Sequence, residues 1–236
     1  MTYDNIIFDF DGTITDSRED IAGAQLWVLG RLGVNTVTKD QLFPHIGKTL
    51  EETFSIVLPP ILHSRIPNAI QLYSEYYPPR SLVTTTLFPG VRETLEELTR
   101  RGKRLAVAST KRGKGVLRAT EHFGITHLFM QLQGSDNFPY KPDPFIVNKI
   151  LTDQEWKKES TLMVGDTAHD IEAGRNAGIA TCGVTYGSLP EEHMLRCQPD
   201  YIIRRMGELL QVVDGNANPG SVPRESAGRR IDDKPC

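Results

Sequence analysis

Cysteine is scarce in this 236-residue chain: Cys182, Cys197 and Cys236 are odd in number, far apart, and form no Cys-x-x-Cys pair. That pattern excludes a disulfide framework or a thiolate zinc site and reads as reduced thiols. Long apolar runs are absent too, since none approaches the roughly 18–20 residues that span a bilayer. Excess positive charge is also missing. A net charge of −3 and a pI near 6.1 provide no basic field to attract nucleic acid or anionic lipid. Neither nucleic acid nor membrane is therefore expected as a partner, and the composition leaves monomer and homodimer equally open. No basic segment precedes Ile6, so a signal peptide is not expected and a cytoplasmic location is the default.

What is present suits an ordinary globular protein: 39% hydrophobic and 24% charged residues, enough to build a core without staples. Short apolar runs recur and end in polar residues. Ile6-Ile7-Phe8 ends at Asp9, Leu105-Ala106-Val107-Ala108 at Ser109, and Leu162-Met163-Val164 at Gly165-Asp166. Residues 180–184, 201–203 and 128–132 read as further strands. Runs without alternation suit strands buried on both faces, as in a parallel sheet. Between them lie helical spacings: Val91, Leu95 and Leu98 before Gly102; Val116, Thr120 and Phe123 before Gly124; residues 170–177 before Gly178; and residues 206–213. Alternation of this kind predicts an α/β, doubly wound, mostly parallel sheet with a Rossmann-like core.

One gap breaks the rhythm. The first strand ends near Asp9 and the next begins near Arg104, far more chain than one crossover needs. The intervening stretch reads as helices over residues 21–32, from Thr38, over 50–58 and over 61–77, interrupted at Pro59-Pro60 and Pro78-Pro79. The expected organisation is a catalytic core of residues 1–15 and 86–213 with a small helical cap inserted over 16–85. Residues 214–236 are rich in Gly, Pro, Asn, Ser and charge and are expected to be a disordered tail.

In an open parallel sheet, ligands bind outside the carboxyl ends of the strands. Three such ends here carry reactive groups: Asp9 with Asp11, Ser109 with Thr110, and Asp166 with Asp170. Two aspartates spaced as in Asp9-Phe10-Asp11-Gly12 can divide the work of nucleophile and proton donor if their environments differ. Taken alone, such a turn is equally compatible with solvated carboxylates. Asp166 and Asp170 offer oxygen ligands of the kind magnesium takes, although Asp170 also suits a helix N-cap. Lys141, flanked by Tyr140 and Pro142, is placed to neutralise charge at a transferring group. Gly47-Lys48-Thr49 is not a P-loop, because position 42 is leucine. His169 reads as a surface histidine.

These segments resemble, in order, the four motifs of the haloacid dehalogenase superfamily of phosphatases. The first is residues 9–17, the second Ser109, the third Lys141, and the fourth Gly165-Asp166-Thr167-Ala168-His169-Asp170. Residues 165–178 and 183–187 are further similar to phosphoglycolate phosphatases. The resemblance implies Asp9 as nucleophile and Asp11 as general acid, then base. It implies magnesium held by Asp9, the Asp11 carbonyl and Asp166, with Asp170 behind. Ser109 and Lys141 would hold the phosphate, with Thr110 beside them where many relatives carry asparagine, and Thr13 would help fix the first loop. The cap would supply substrate contacts, with Lys48 as the candidate. The expected substrate is a small phosphorylated metabolite. A phosphoglucomutase-type transferase or a pyrophosphatase on the same core are the alternatives, ahead of a non-catalytic phosphate-binding module.

Overall fold

The computed structural model describes residues 2–136 and 139–216. The chain opens with β1 (Asn5–Phe8), every residue of which is buried. After a tight loop it forms β2 (Thr15–Asp16) and then four helices, α1 (Arg18–Arg31), α2 (Lys39–Leu42), α3 (Leu50–Val57) and α4 (Ile66–Tyr76). It returns through β3 (Thr86–Leu87), which pairs antiparallel with β2. From there strands and helices alternate: α5 (Val91–Arg100), β4 (Arg104–Ser109), α6 (Gly113–His122), β5 (Gln131–Gly134), α7 (Phe145–Asp153), β6 (Thr161–Gly165) and α8 (Ala168–Ala177). The last elements are β7 (Ala180–Val184), α9 (Glu191–Arg196), β8 (Tyr201–Ile203) and α10 (Leu209–Val213).

The large sheet runs in the order β5-β4-β1-β6-β7-β8, and every adjacent pair is parallel. Side chains alternate across it, as the period of a strand requires. Ile6 and Phe8 join Leu105, Val107, Leu162 and Val164 under α5 and α10 on one face. Ile7, Ala106, Ala108 and Met163 meet Ile146, Val147 and Ile150 of α7 and Ala173 of α8 on the other. Helices thus cover both faces, which is why the strands read as unbroken apolar runs.

The order of strands reverses between β1 and β6, so the crevice at their carboxyl ends is the switch point where open α/β sheets bind ligands. Register fixes what stands there. Phe8 lies opposite Val107 of β4 and Val164 of β6. Asp9, Ser109 and Asp166 therefore leave the sheet at one edge.

The helices of the insertion have a hydrophobic cluster of their own, built on Ala22, Val28, Leu29, Leu42, Phe54 and Ala69. Its two connections to the sheet are stitched together. Asp20, in the first turn of α1, accepts hydrogen bonds from the backbone N–H and hydroxyl groups of Thr84 and Thr85 at 2.6–3.1 Å. Phe88 N–H donates to the Ile14 carbonyl at 3.1 Å.

Boundaries differ from expectation in two places. Residues 126–128 form a 3-10 turn, closed by Leu128 N–H to Ile125 O, and the strand begins only at Gln131. Residues 60–65 are likewise 3-10, and α4 starts at Ile66 with Pro67 in its first turn, where a missing N–H costs nothing. Cys182 is a free, buried thiol, in keeping with the reduced reading, and Cys236 lies outside the described residues. No described helix is long and apolar enough to cross a membrane. The expected tail lies, beyond Asn216, outside the described residues.

Candidate active site

The loop after β1 is a compact knot. Ile14 and Thr15 N–H both donate to the Phe10 carbonyl at 3.0 Å, and Gly12 N–H donates to Thr15 O at 2.8 Å. Gly12 has φ +97°, and a Cβ there would sit 2.2 Å from an Asp166 oxygen. Only glycine fits, because the turn needs a left-handed residue and the backbone must approach the carboxylate. Thr13 is fully buried, and its hydroxyl donates to Asp166 Oδ1 at 3.1 Å.

Three carboxylates converge. Oxygens of Asp9, Asp166 and Asp170 all lie within 4.8 Å of one another, and all three residues are buried. Lys141 reaches into them. Its Nζ lies 2.5 Å from Asp9 Oδ1, 2.5 Å from Asp170 Oδ1 and 2.9 Å from the Ala108 carbonyl, which uses all three ammonium hydrogens. Asp170 also caps α8, where its Oδ2 accepts from Thr167 N–H at 3.0 Å and Thr167 Oγ1 at 2.7 Å. The capping and site readings of Asp170 therefore coexist, one oxygen for each. Asp166 Oδ2 accepts from Ser188 N–H at 2.8 Å.

The charges do not balance: three carboxylates against one ammonium leave two negative charges uncompensated. Proton affinities record this. Burial pushes Asp9 well above the usual carboxylate range. Lys141 pulls it back only in part, and Asp170 and Asp166 push it further. Burial, then repulsion from Asp170, pushes Asp166 up to about 6. Burial favours the neutral form of Lys141, but Asp170 and Asp9 outweigh it and hold the ammonium charged. A buried, over-negative set of convergent oxygens suits a hard divalent cation, which would reverse these shifts.

Asp11 points elsewhere. Its Oδ1 accepts from Ser17 Oγ at 2.7 Å, and its two oxygens lie 3.1 and 3.0 Å from the ammonium of Lys111. The two aspartates of the first loop thus occupy different environments, one inside the acidic cluster and one beside a separate lysine. Sequence reasoning missed Lys111. It stands two residues past Ser109, where a lysine opening a glycine-rich helix start reads as solvated.

Ser109 is buried at the end of β4, and its hydroxyl accepts from Lys111 N–H at 3.1 Å. Thr110 Oγ1 faces the Gly47 carbonyl at 3.5 Å. Gly47 lies against the sheet domain, since a Cβ there would come 2.7 Å from Thr167 Cγ2. Lys48 therefore rides on a loop that overhangs the rim, and its ammonium makes no hydrogen bond or ion pair among the described residues. His169 is not a free surface residue: its Nε2 lies 3.8 Å from Glu52 of α3, and its side chain is 14% exposed.

A family model for haloacid dehalogenase-like hydrolases matches residues 6–184. The chain belongs to that family. The phosphoglycolate phosphatase of Vibrio cholerae serotype O1 is 35% identical over 219 residues, covering 88% of this chain and 96% of that one. Pyrophosphatase PpaX of Listeria monocytogenes serotype 4a is 31% identical over 210 residues, covering 88% and 95%. Among solved structures, a haloacid dehalogenase-like family hydrolase from Streptococcus pneumoniae superposes with a TM-score of 0.82 at 28% identity, covering 89% of this chain and 98% of that one. Membership of these hydrolases accords with the doubly wound sheet and its helical insertion.

Proposed function

We propose that this hydrolase is a magnesium-dependent phosphatase of small phosphorylated metabolites that works through an aspartyl-phosphate at Asp9. One observation carries the reading. Asp9 stands at the switch point, held by Lys141 at 2.5 Å inside a cluster fit for a cation, while Asp11 two residues on lies outside it. A nucleophile must stay ionised beside positive charge, and a proton carrier must sit apart from it.

In this reading an Asp9 oxygen attacks phosphorus as the ester bond breaks, and Asp11 gives the departing oxygen its proton. Asp11 then takes a proton from the water that cleaves the acyl phosphate and frees Asp9. Lys141 and the Ser109 hydroxyl bind the transferring group, with Thr110 and the overhanging Lys48 next to it. Thr13 fixes the loop by its bond to Asp166. Magnesium would be held by Asp9, the Asp11 carbonyl and Asp166, with Asp170 behind. When bound it supplies charge neutralisation between carboxylates and phosphate oxygens. Residues 16–85 act as a cap that excludes water from the reacting atoms.

The phosphoglycolate phosphatase relatives favour a short phosphorylated acid as substrate, and the pyrophosphatase relatives keep pyrophosphate as the second reading. Phosphate release from phosphoglycolate, pyrophosphate and sugar phosphates, measured with magnesium and with EDTA, separates them. Release from phosphoglycolate far above the rest supports the first reading, and preference for pyrophosphate supports the second. Isomerised sugar phosphate without free phosphate would replace both with a mutase. No turnover of any ester would leave a phosphate-binding module.

A further inference from the structure

Lys111 touches Asp11 and the helical insertion at once. Its ammonium bridges both Asp11 oxygens at 3.1 and 3.0 Å and donates to Tyr77 Oη at 2.9 Å, which uses its three hydrogens. In this pose two of the three hydrogens go to Asp11, the group this residue most directly holds. Its backbone is locked as well. Lys111 N–H donates to Ser109 Oγ at 3.1 Å, and its carbonyl accepts from Ser135 N–H at 3.1 Å. The aliphatic stem lies over Gly115, where an added Cβ would come within 3.2 Å of it.

Tyr77 is placed to report on the insertion. It caps the C-terminus of α4, stacks on Tyr73 with centroids 5.0 Å apart, and directly precedes Pro78-Pro79 on the way back to the sheet. The other arm on Asp11 comes from the opposite connection: Ser17, which donates at 2.7 Å, is the N-cap of α1. Both crossings between insertion and core therefore bear on one carboxylate.

We propose that Lys111 is a positioning residue for Asp11, and that through Tyr77 it ties the pose of this acid to the seating of the insertion over the rim. The inference rests on the reading of Asp11 as the proton donor given above. Its chemistry makes a specific demand. A misplaced proton donor hurts substrates whose leaving oxygen needs protonation and spares those whose leaving group departs as a stable anion.

The test compares turnover of phosphoglycolate, an alkyl ester, with that of p-nitrophenyl phosphate for Lys111→Met, Lys111→Arg, Tyr77→Phe and the Lys111→Met/Tyr77→Phe pair. Asp9→Asn runs alongside. Lys111→Met should lower kcat on the alkyl ester by about 10²-fold with little change in KM, and far less on the aryl ester. Lys111→Arg should recover part of the loss. Tyr77→Phe should lose less in the same direction, and the double variant should fall short of the product of the singles. Equal losses on both esters, or a rise in KM at constant kcat, would overturn the assignment. If Lys111→Met fails to fold, a Tyr77→Phe loss that is equal on both esters overturns it in its place. An Asp9→Asn enzyme that still turns over would instead break the phosphatase mechanism itself.

Discussion

Excess negative charge around Asp166 makes a pH-dependent prediction that involves no catalysis. Burial and Asp170 push this carboxyl up to about 6 from an ordinary value of 3.8. The side chain is fully buried, so solvent does little to screen the effect. Below about pH 4 both folded and unfolded chains carry the proton, and the group's contribution is intact. As pH rises the unfolded chain ionises first and the folded one later, so stability is lost through pH 6. A gap of about two pKa units amounts to about 3 kcal/mol. For a domain of this size that is a fall in Tm of about 6–12 °C.

Thermal unfolding in EDTA at a series of pH values, with wild type compared to Asp166→Asn, isolates this group from the other carboxylates. The wild-type advantage over Asp166→Asn should shrink or invert between about pH 4.5 and 7.5. Magnesium, as proposed, would bind the ionised cluster, so its stabilisation, about 2.7 kcal/mol at a hundred times Kd, should be present at pH 8 and nearly gone at pH 5. A wild-type minus variant difference that stays flat with pH would refute the reasoning. So would a magnesium shift as large at pH 5 as at pH 8.

Asp11→Asn should slow turnover of alkyl phosphates by about 10²–10⁴-fold and leave magnesium-induced stabilisation in place; steady-state kinetics and a melting curve check the two halves. Gly12→Ala would drive a methyl into Asp166, 2.2 Å from its oxygen, and demand φ +97° of an alanine. It should both destabilise the fold, by about 1–3 kcal/mol, and weaken magnesium binding, as denaturant titration and calorimetry would show. Asp20→Ala removes the acceptor that joins Thr84 and Thr85 to α1, so about 1–3 kcal/mol should be lost. KM should rise as the insertion loosens, while backbone exchange at Thr84 and Thr85 accelerates.

The residues of the acidic cluster were legible because strand ends are legible. Asp9 and Asp166 close apolar runs with no alternation, which places them at the carboxyl edge of a parallel sheet before any contact is known. The two sides of the insertion were harder to see. β2 and β3 are two residues each, too short for any period to register, and the Asp20 stitch joins residues 64 and 65 positions apart. Lys111 depends on Asp11, 100 residues away, and on Tyr77, 34 residues away, so nothing in its own neighbourhood marks it. Asp170 shows a different limit. A capping box reads as local structure, yet only one of its oxygens serves the cap while the other meets Lys141. His169 likewise looks like a surface residue until α3 is laid against it.

The most direct measurement is capture of the phosphoryl group on the protein. Enzyme mixed with radiolabelled substrate and magnesium, quenched in acid within a turnover and digested, should carry label on the peptide containing Asp9, lost on treatment with hydroxylamine. The account predicts that label, and its disappearance in Asp9→Asn. Sustained turnover with no label at Asp9, or label on another residue, would contradict it.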